Sequence, residues 1–181
     1  MPHGCYTGNM TTLLPGDILP ALRLPLLAGD GAAPVGPNRK RSHVLVLTHP
    51  EPCDDCSAHL TALSAIADRF SVEKADVVAV VGPQWRGTPP LPVPAVVDDG
   101  VLRSLLSSGD EPVVAVADRF GQLFTRADAG PGHEFPDHEQ VLGTLLNIAI
   151  SCPECGVPDV PCAVTLPEHG TMSGGMRIGQ T

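Results

Sequence analysis

The arrangement of the cysteines constrains this chain more than any other feature of its sequence. Four of the six form two Cys-x-x-Cys pairs, Cys53 with Cys56 and Cys152 with Cys155. The first pair lies between an apolar run and a stretch of helical periodicity, so the fold must place a strand end and a helix start beside Cys53. In a reducing compartment, paired cysteines are more often catalytic or metal-binding than structural disulfides.

Apolar periodicity divides the middle of the chain into strands and helices. Residues 43–49 form a continuous aliphatic run, which is typical of a central strand buried on both faces. Residues 56–70 carry apolar side chains at spacings of three and four, which predicts one amphipathic helix. Residues 17–29 are predicted to be an extended edge segment and 30–42 a loop. The other predicted strands are 77–81, 94–97, 113–117 and 122–125, and the other predicted helices are 101–106 and 137–150, the last capped by Asp137.

This order of elements predicts an α/β fold, a three-layer sandwich with a mixed central sheet. Strands that alternate with helices imply parallel pairing, and the final hairpin around residues 118–121 adds antiparallel pairing at one edge. A length of 181 residues suits one domain with terminal extensions. We therefore expect an irregular N-terminal arm over 1–16, the domain over 17–150 and a Cys-containing C-terminal tail over 151–181.

The charge of the chain argues against several classes of partner. Eleven Lys and Arg residues against twenty Asp and Glu residues give a net charge of −9, so no basic surface is expected for nucleic acid or anionic lipid. The apolar stretches are too short for a membrane span, and the N-terminal residues do not resemble a secretory signal. We expect a cytoplasmic protein with no nucleic-acid partner and no membrane span.

The position of the first cysteine pair, after a buried strand and before an amphipathic helix, resembles the thioredoxin fold. Two further segments are similar to its redoxin branch, which includes peroxiredoxins and the thioredoxin-like proteins of cytochrome maturation. Residues 15–20 (Pro-Gly-Asp-Ile-Leu-Pro), followed by Leu24-Pro25, look like the opening of that branch. Residues 111–121 (Glu-Pro-Val-Val-Ala-Val-Ala-Asp-Arg-Phe-Gly) look like its proline, strand and Asp-x-x-Gly hairpin.

This resemblance implies a thiol–disulfide oxidoreductase whose partner is a protein disulfide substrate or a reductant. Cys53 would be the nucleophile, Cys56 the resolving thiol and Pro112 a cis-proline that faces the pair. The dithiol chemistry would require no cofactor. A peroxidase is less favoured, because peroxiredoxins carry Thr or Ser three residues before the reactive cysteine, where this chain has Pro50.

The residues around the first pair have opposing effects on its chemistry. A thiolate at a helix N-terminus is stabilised by free backbone N–H groups and the helix dipole. Asp54 and Asp55 oppose this effect, because nearby negative charge raises a thiol pKa. His49 and His59 are candidate compensating groups. Two other interpretations stay open: a metal site made by the two cysteines with His49 or His59, and a vestigial pair.

The tail contains a second cysteine pair in a different local sequence. Cys152-Pro-Glu-Cys155-Gly has the form of a metal knuckle, in which glycine lets backbone N–H groups turn toward the thiolates. Cys162 and His169 follow at intervals of seven residues and would complete a Cys₃His zinc site. A relay of electrons to the first pair, or a pair of inert thiols, would fit the same residues.

A second function from a different class also fits the sequence. The chain could be a non-catalytic thioredoxin-fold subunit of a larger complex, with zinc in its tail and its terminal arms wrapped around a neighbour. His133 and His138 flank an acidic stretch, which more often indicates a solvated turn than a metal site.

Overall fold

The predicted central strand is the centre of the observed sheet. The computed structural model describes residues 12–38 and 40–151. In it, β3 (Ser42–Leu47) is buried along its whole length. It pairs in parallel with β4 (Ala75–Val81) and antiparallel with β6 (Val113–Ala117). Both neighbours are rich in valine and alanine, as expected for strands covered on both faces.

Two outer strands complete a mixed five-stranded sheet. β5 (Ala95–Val97) pairs in parallel with β4, and β7 (Leu123–Asp128) pairs antiparallel with β6. The resulting order is β5-β4-β3-β6-β7. The predicted mixed sheet, with its antiparallel hairpin at one edge, is therefore confirmed.

Helices cover both faces of this sheet. On one face pack α1 (Asp54–Ala65), α2 (Ala67–Val72) and α4 (His138–Ile150). On the other face pack α3 (Val101–Leu106) and the short hairpin described next. The side chains of β3 alternate between the two cores, with Val44 and Val46 in the first and Leu45 and Leu47 in the second. The three-layer sandwich is confirmed.

The expectation that residues 30–42 form a loop was wrong in part. Ala32–Val35 is a strand, β2, which pairs antiparallel with β1 (Leu22–Pro25). Gly29 and Gly31 take positive φ angles in the turn between them, which permits this tight reversal. Leu24 and Val35 bury themselves against the sheet, and that burial stabilises the hairpin despite its proline residues.

The expectation of one helix over residues 56–70 was also wrong in detail. The chain leaves helical geometry at Ile66, where φ is −116° and ψ is 21°, and restarts as α2. The periodicity continues across this break because Leu63 and Phe70 still reach the same core. Asp137 caps α4 as predicted, and its backbone N–H donates to the Gln140 side-chain oxygen in a capping box. None of the described helices is long and apolar enough to cross a membrane.

The sheet brings three chain segments together at the edge formed by its strand ends, where β3 ends and β6 starts. Because β6 runs antiparallel to β3, the end of β3 lies beside the start of β6, where Leu47 pairs with Val113. The end of β7 returns to the same edge, and Ala129 N donates to Pro112 O at 2.8 Å. The N-terminus of α1 and the loop after β7 therefore start from neighbouring positions.

Side chains from the rest of the fold hold the segment 48–52 that joins β3 to α1. Trp85, which is 2% exposed, donates from Nε1 to His49 O at 3.0 Å. The Arg103 guanidinium donates to Thr48 O. Gly82 lies so close to Pro50 that a Cβ at Gly82 would overlap the Pro50 carbonyl oxygen. The path of this segment is thus fixed by packing and hydrogen bonds.

We expect Gly82→Ala to destabilise the protein by about 1–3 kcal/mol, because the added methyl group would push the segment 48–52 away. The measurement is the free energy of unfolding in urea. Gly109→Ala is the matched control, since a Cβ there meets no atom within 4 Å. Equal stabilities of the two variants would contradict this account of the segment.

Candidate functional site

The first cysteine pair occupies the start of α1. Cys53 is the N-cap residue of the helix, with extended φ and ψ angles, and its side chain is partly exposed. Cys56 follows within the first turn and is fully buried in the core between α1 and the sheet. The two thiols are not joined in a disulfide. A partly exposed cysteine at a helix N-terminus therefore stands next to a buried one.

Two histidines complete a cluster around these sulfurs. His49 lies near the start of the segment 48–52 after β3, and its Nδ1 is 3.6 Å from Cys56 Sγ. His133 comes from the loop after β7, and its Nε2 is 3.2 Å from Cys53 Sγ and 3.2 Å from His49 Nδ1. The four ligand atoms of His49, Cys53, Cys56 and His133 all lie within 4.8 Å of one another.

His133 has an unusual backbone conformation that aims it at the cluster. Its φ is 55°, in the left-handed region that histidine occupies more readily than most residues other than glycine. Flanking hydrogen bonds hold this turn: Glu134 N donates to Ala129 O at 2.7 Å, and Phe135 N donates to His133 O at 2.8 Å. Left-handed residues of this kind are concentrated at functional sites.

Asp55 lies on the far side of the His133 ring. Its Oδ2 is 3.6 Å from His133 Nδ1, while Nε2 of the same ring faces the cluster. A carboxylate at this position favours the proton on Nδ1 and leaves the Nε2 lone pair directed at the sulfurs. Cys53 Sγ, the His133 ring and the Asp55 carboxylate thus lie in series, which is the order of thiol, base and orienting group that nucleophilic catalysis uses.

The surroundings make the two thiols chemically different. Burial raises the pKa of Cys56 to about 12, and the charge of Asp55 adds to this rise as a smaller cause. Of the two aspartates predicted to oppose thiolate formation, Asp55 has this effect at Cys56. Burial also lowers the pKa of His49, helped by the nearby His133 and Arg103, which favours the neutral form of the imidazole beside Cys56.

Arg103 is a half-buried cation behind the site that sequence reasoning missed. Its guanidinium donates to Thr48 O, to Gly109 O at 3.5 Å and to Glu111 O at 3.3 Å. Burial lowers its pKa, whereas the charges of Asp110 and Asp98 raise it. It ties the segment that carries His49 to the segment that leads into β6, and no local pattern in the sequence marks this role.

The structure separates the two histidines proposed as compensating groups. His49 joins the cluster as expected. His59 does not, because its ring stacks on Phe135 with centroids 3.9 Å apart and an interplanar angle of 6°. His133 does lie in a turn, as predicted, and His138 starts a helix, but the His133 ring is not simply solvated: the left-handed backbone brings its imidazole to Cys53 across 80 residues of sequence.

Pro112 lies at the same edge of the sheet but differs from the expectation. The described residues contain no cis peptide bond, so the Glu111–Pro112 bond is trans and the predicted cis-proline is a wrong prediction. The trans form is the intrinsically favoured one for a bond of this type. Pro112 is buried, and its carbonyl accepts from Ala129 N, which extends the ladder between β6 and β7.

Several predicted residues lie outside the described part of the chain. They include the proposed tail ligands Cys152, Cys155, Cys162 and His169, as well as Cys5 and most of the N-terminal arm. The zinc site in the tail therefore remains a prediction from the sequence.

Comparison with known proteins reveals similarity in structure only. No family model and no curated protein sequence matches this chain. AhpC of Mycobacterium tuberculosis superposes with a TM-score of 0.59 at 19% identity, over 81% of this chain and 99% of that one. A Plasmodium vivax 2-Cys peroxiredoxin gives a TM-score of 0.60 at 13% identity, over 74% and 81%. This is the thioredoxin-like fold.

A third solved structure of the same fold has a different description. A Chlorobium tepidum protein described as a candidate thiol:disulfide interchange protein, DsbE, gives a TM-score of 0.57 at 17% identity. The alignment covers 74% of this chain and 99% of that one. The predicted resemblance to the redoxin branch is confirmed at the level of the fold.

We expect His59 to weaken the fold in acid. Burial, and to a smaller degree the neighbouring His138, lower the pKa of His59 from 6.5 to about 4. The unfolded chain therefore binds a proton that the folded chain excludes, so stability falls as the pH drops from about 6.5 toward about 4, by at most ~1.4 kcal/mol per pH unit. The measurement is urea unfolding at several pH values.

The variant His59→Phe should flatten this dependence, because phenylalanine keeps the stacked ring and carries no titrating group. His138→Gln should flatten it much less, since the charge of His138 is the smaller cause. An unchanged pH dependence in His59→Phe would assign the acid sensitivity to another group.

Proposed function

We propose that this protein is a thiol–disulfide oxidoreductase that uses Cys53 and Cys56. The observation that carries the proposal is the contact of Cys53 Sγ, in a partly exposed residue, with His133 Nε2 at 3.2 Å, at the N-terminus of α1. A helix N-terminus stabilises a thiolate, and a neutral imidazole at this distance can accept its proton. The thiolate is the form that attacks disulfides.

The first step forms a mixed disulfide. His133 Nε2 takes the proton of Cys53, and the Cys53 sulfur attacks one sulfur of the substrate disulfide. A new S–S bond joins Cys53 to the substrate, the original bond breaks, and the leaving thiolate takes the proton from His133. Asp55, beside His133 Nδ1, stabilises the imidazolium that exists between these two proton transfers.

The second step releases the substrate. Cys56 is buried and its pKa is raised, so it stays protonated until a base removes its proton. His49 Nδ1, 3.6 Å from Cys56 Sγ, is the base in position to do so. The Cys56 sulfur then attacks Cys53, the mixed disulfide breaks, and the second substrate thiol leaves. The substrate gains two electrons and two protons, and a dithiol reductant restores the pair.

The substrate is proposed to be an extended protein segment that docks beside Pro112. Pro112 lies one position before Val113, at the sheet edge where the segment 48–52 also begins. The thioredoxin-like fold supports this class of chemistry, since solved structures of the same fold include thiol peroxidases and a candidate interchange protein. A reducing cytoplasm is the proposed compartment, where the pair would work as a reductant.

We expect Cys53→Ser to abolish disulfide reduction, because no other accessible sulfur stands at the start of α1. Cys56→Ser should stop after one step and accumulate a stable mixed disulfide at Cys53. The measurements are dithiothreitol-dependent reduction of insulin and intact mass after mixing with a disulfide peptide. Cys5→Ser is the control and should keep full activity. Full activity in Cys53→Ser would contradict the proposal.

We expect His133→Asn to slow alkylation of Cys53 by iodoacetamide at pH 7 by about tenfold or more, because the thiolate loses its base. Asparagine tolerates the left-handed backbone, so the loop is preserved. His138→Gln, a change to a histidine outside the cluster, is the control and should leave the rate unchanged. If neither variant alters the rate and insulin is not reduced, a non-catalytic accessory subunit with zinc in its tail would explain the chain better.

A further inference from the structure

We propose that the reduced protein binds one zinc ion through His49, Cys53, Cys56 and His133. The dithiol mechanism requires one histidine for each sulfur, but it does not require the four ligand atoms to converge. They do converge, within 4.8 Å of one another. The binding part of this inference stands on that geometry alone, and the release part, given below, rests on the proposed redox function.

Three of the six separations among the ligand atoms approach those of a tetrahedral zinc site, and all six are within 4.8 Å. Zinc–nitrogen bonds of about 2.0–2.1 Å and zinc–sulfur bonds of about 2.3 Å place two nitrogens about 3.3 Å apart, and a nitrogen and a sulfur about 3.6 Å apart. The observed separations are 3.2 Å between His49 Nδ1 and His133 Nε2, and 3.2 Å and 3.6 Å for the two sulfur–nitrogen pairs. Each is within a few tenths of an ångström of the value expected for zinc.

Hydrogen bonds alone satisfy the two ring nitrogens of the cluster poorly. His133 Nε2 is within contact distance of both Cys53 Sγ and His49 Nδ1, yet a ring nitrogen can donate at most one proton. The dithiol mechanism uses both of these nitrogens as proton acceptors, so their lone pairs would face each other at 3.2 Å. A cation at the centre would use every one of these lone pairs.

The ligand set selects the metal. Two thiolates and two imidazoles in a tetrahedral arrangement are the donors that zinc prefers in structural sites. The two thiolate charges neutralise the ion, so a neutral complex replaces two protons in a partly buried place. Asp55 beside His133 Nδ1 is the outer carboxylate that orients a zinc-bound histidine.

The same sulfurs cannot bind zinc and form a disulfide at the same time. Binding releases two protons, since Cys53 and Cys56 ligate as thiolates. A small-molecule disulfide such as oxidised glutathione would oxidise the complex: two protons are consumed, the Cys53–Cys56 bond forms, two glutathione thiols leave, and zinc is released. Zinc would therefore protect the reduced pair, and oxidation would discharge the metal.

The first test is the zinc content of the reduced full-length protein after gel filtration. The background variant Cys152→Ser/Cys155→Ser removes the predicted tail knuckle, so any metal left belongs to this cluster. We expect about one zinc per chain in that background, and almost none after adding His49→Gln or His133→Asn. His59→Gln, outside the cluster, should keep the metal. Circular dichroism confirms that each variant is folded.

Cobalt provides a second readout that does not depend on activity. Co²⁺ added to the same background should give the intense visible absorption of a tetrahedral site with sulfur ligands. Asp55→Asn should weaken the affinity about 10–100-fold, as for other outer carboxylates, because His133 loses its orienting group. Asp54→Asn makes the same change of charge one residue away and should have a much smaller effect.

The outcomes separate the two proposals. No zinc and no cobalt spectrum in the background variant, with insulin still reduced, would overturn the metal site and leave the redox function in place. Bound zinc that oxidised glutathione does not release, measured with a chelating dye, would overturn the release step. Copper(I) retained in place of zinc would overturn the choice of metal.

Discussion

The backbone pairing of β3 with β4 on one side and β6 on the other holds the rest of the molecule in place. It fixes where β3 ends, and α1 must start from that end with Cys53 at its N-cap. It also sets the position of β7, whose following loop carries His133. The order of the strands therefore determines which chain segments, and so which reactive side chains, meet at the site.

Cys53 and Cys56 lie within one turn of α1 but differ in burial. Cys56 belongs to the same core as Val44 and Leu60, and its pKa rises for that reason. Cys53 stands at the boundary with solvent and is the sulfur that another molecule can reach. Asp54 and Asp55, which lie between the two cysteines, stabilise the helix, since acidic side chains interact favourably with a helix N-terminus. Asp55 additionally approaches His133.

Most of the fold could be predicted from the sequence because the strands are apolar runs and the helices have clear periodicity. The segment that contains β1 was predicted to be an edge strand or extended segment, but β2 and its pairing were missed because β2 is short and contains Pro34. Cys53, Cys56 and His49 could be found because they lie close together in the sequence. His133 and Arg103 could not, since contacts across 80 and 55 residues leave no local pattern. Pro112 was placed correctly at the sheet edge but given the wrong peptide geometry.

The distance along the chain between the sulfurs and His133 has a consequence for biosynthesis. A ribosome makes Cys53 and Cys56 long before it makes the loop after β7, and the cluster needs both. Until residue 133 has emerged and β7 has paired with β6, the nascent chain holds two thiols without the imidazole of His133. The site is thus completed by one of the later folding events of the domain, and a chain that stops short of it has cysteines but no assembled centre.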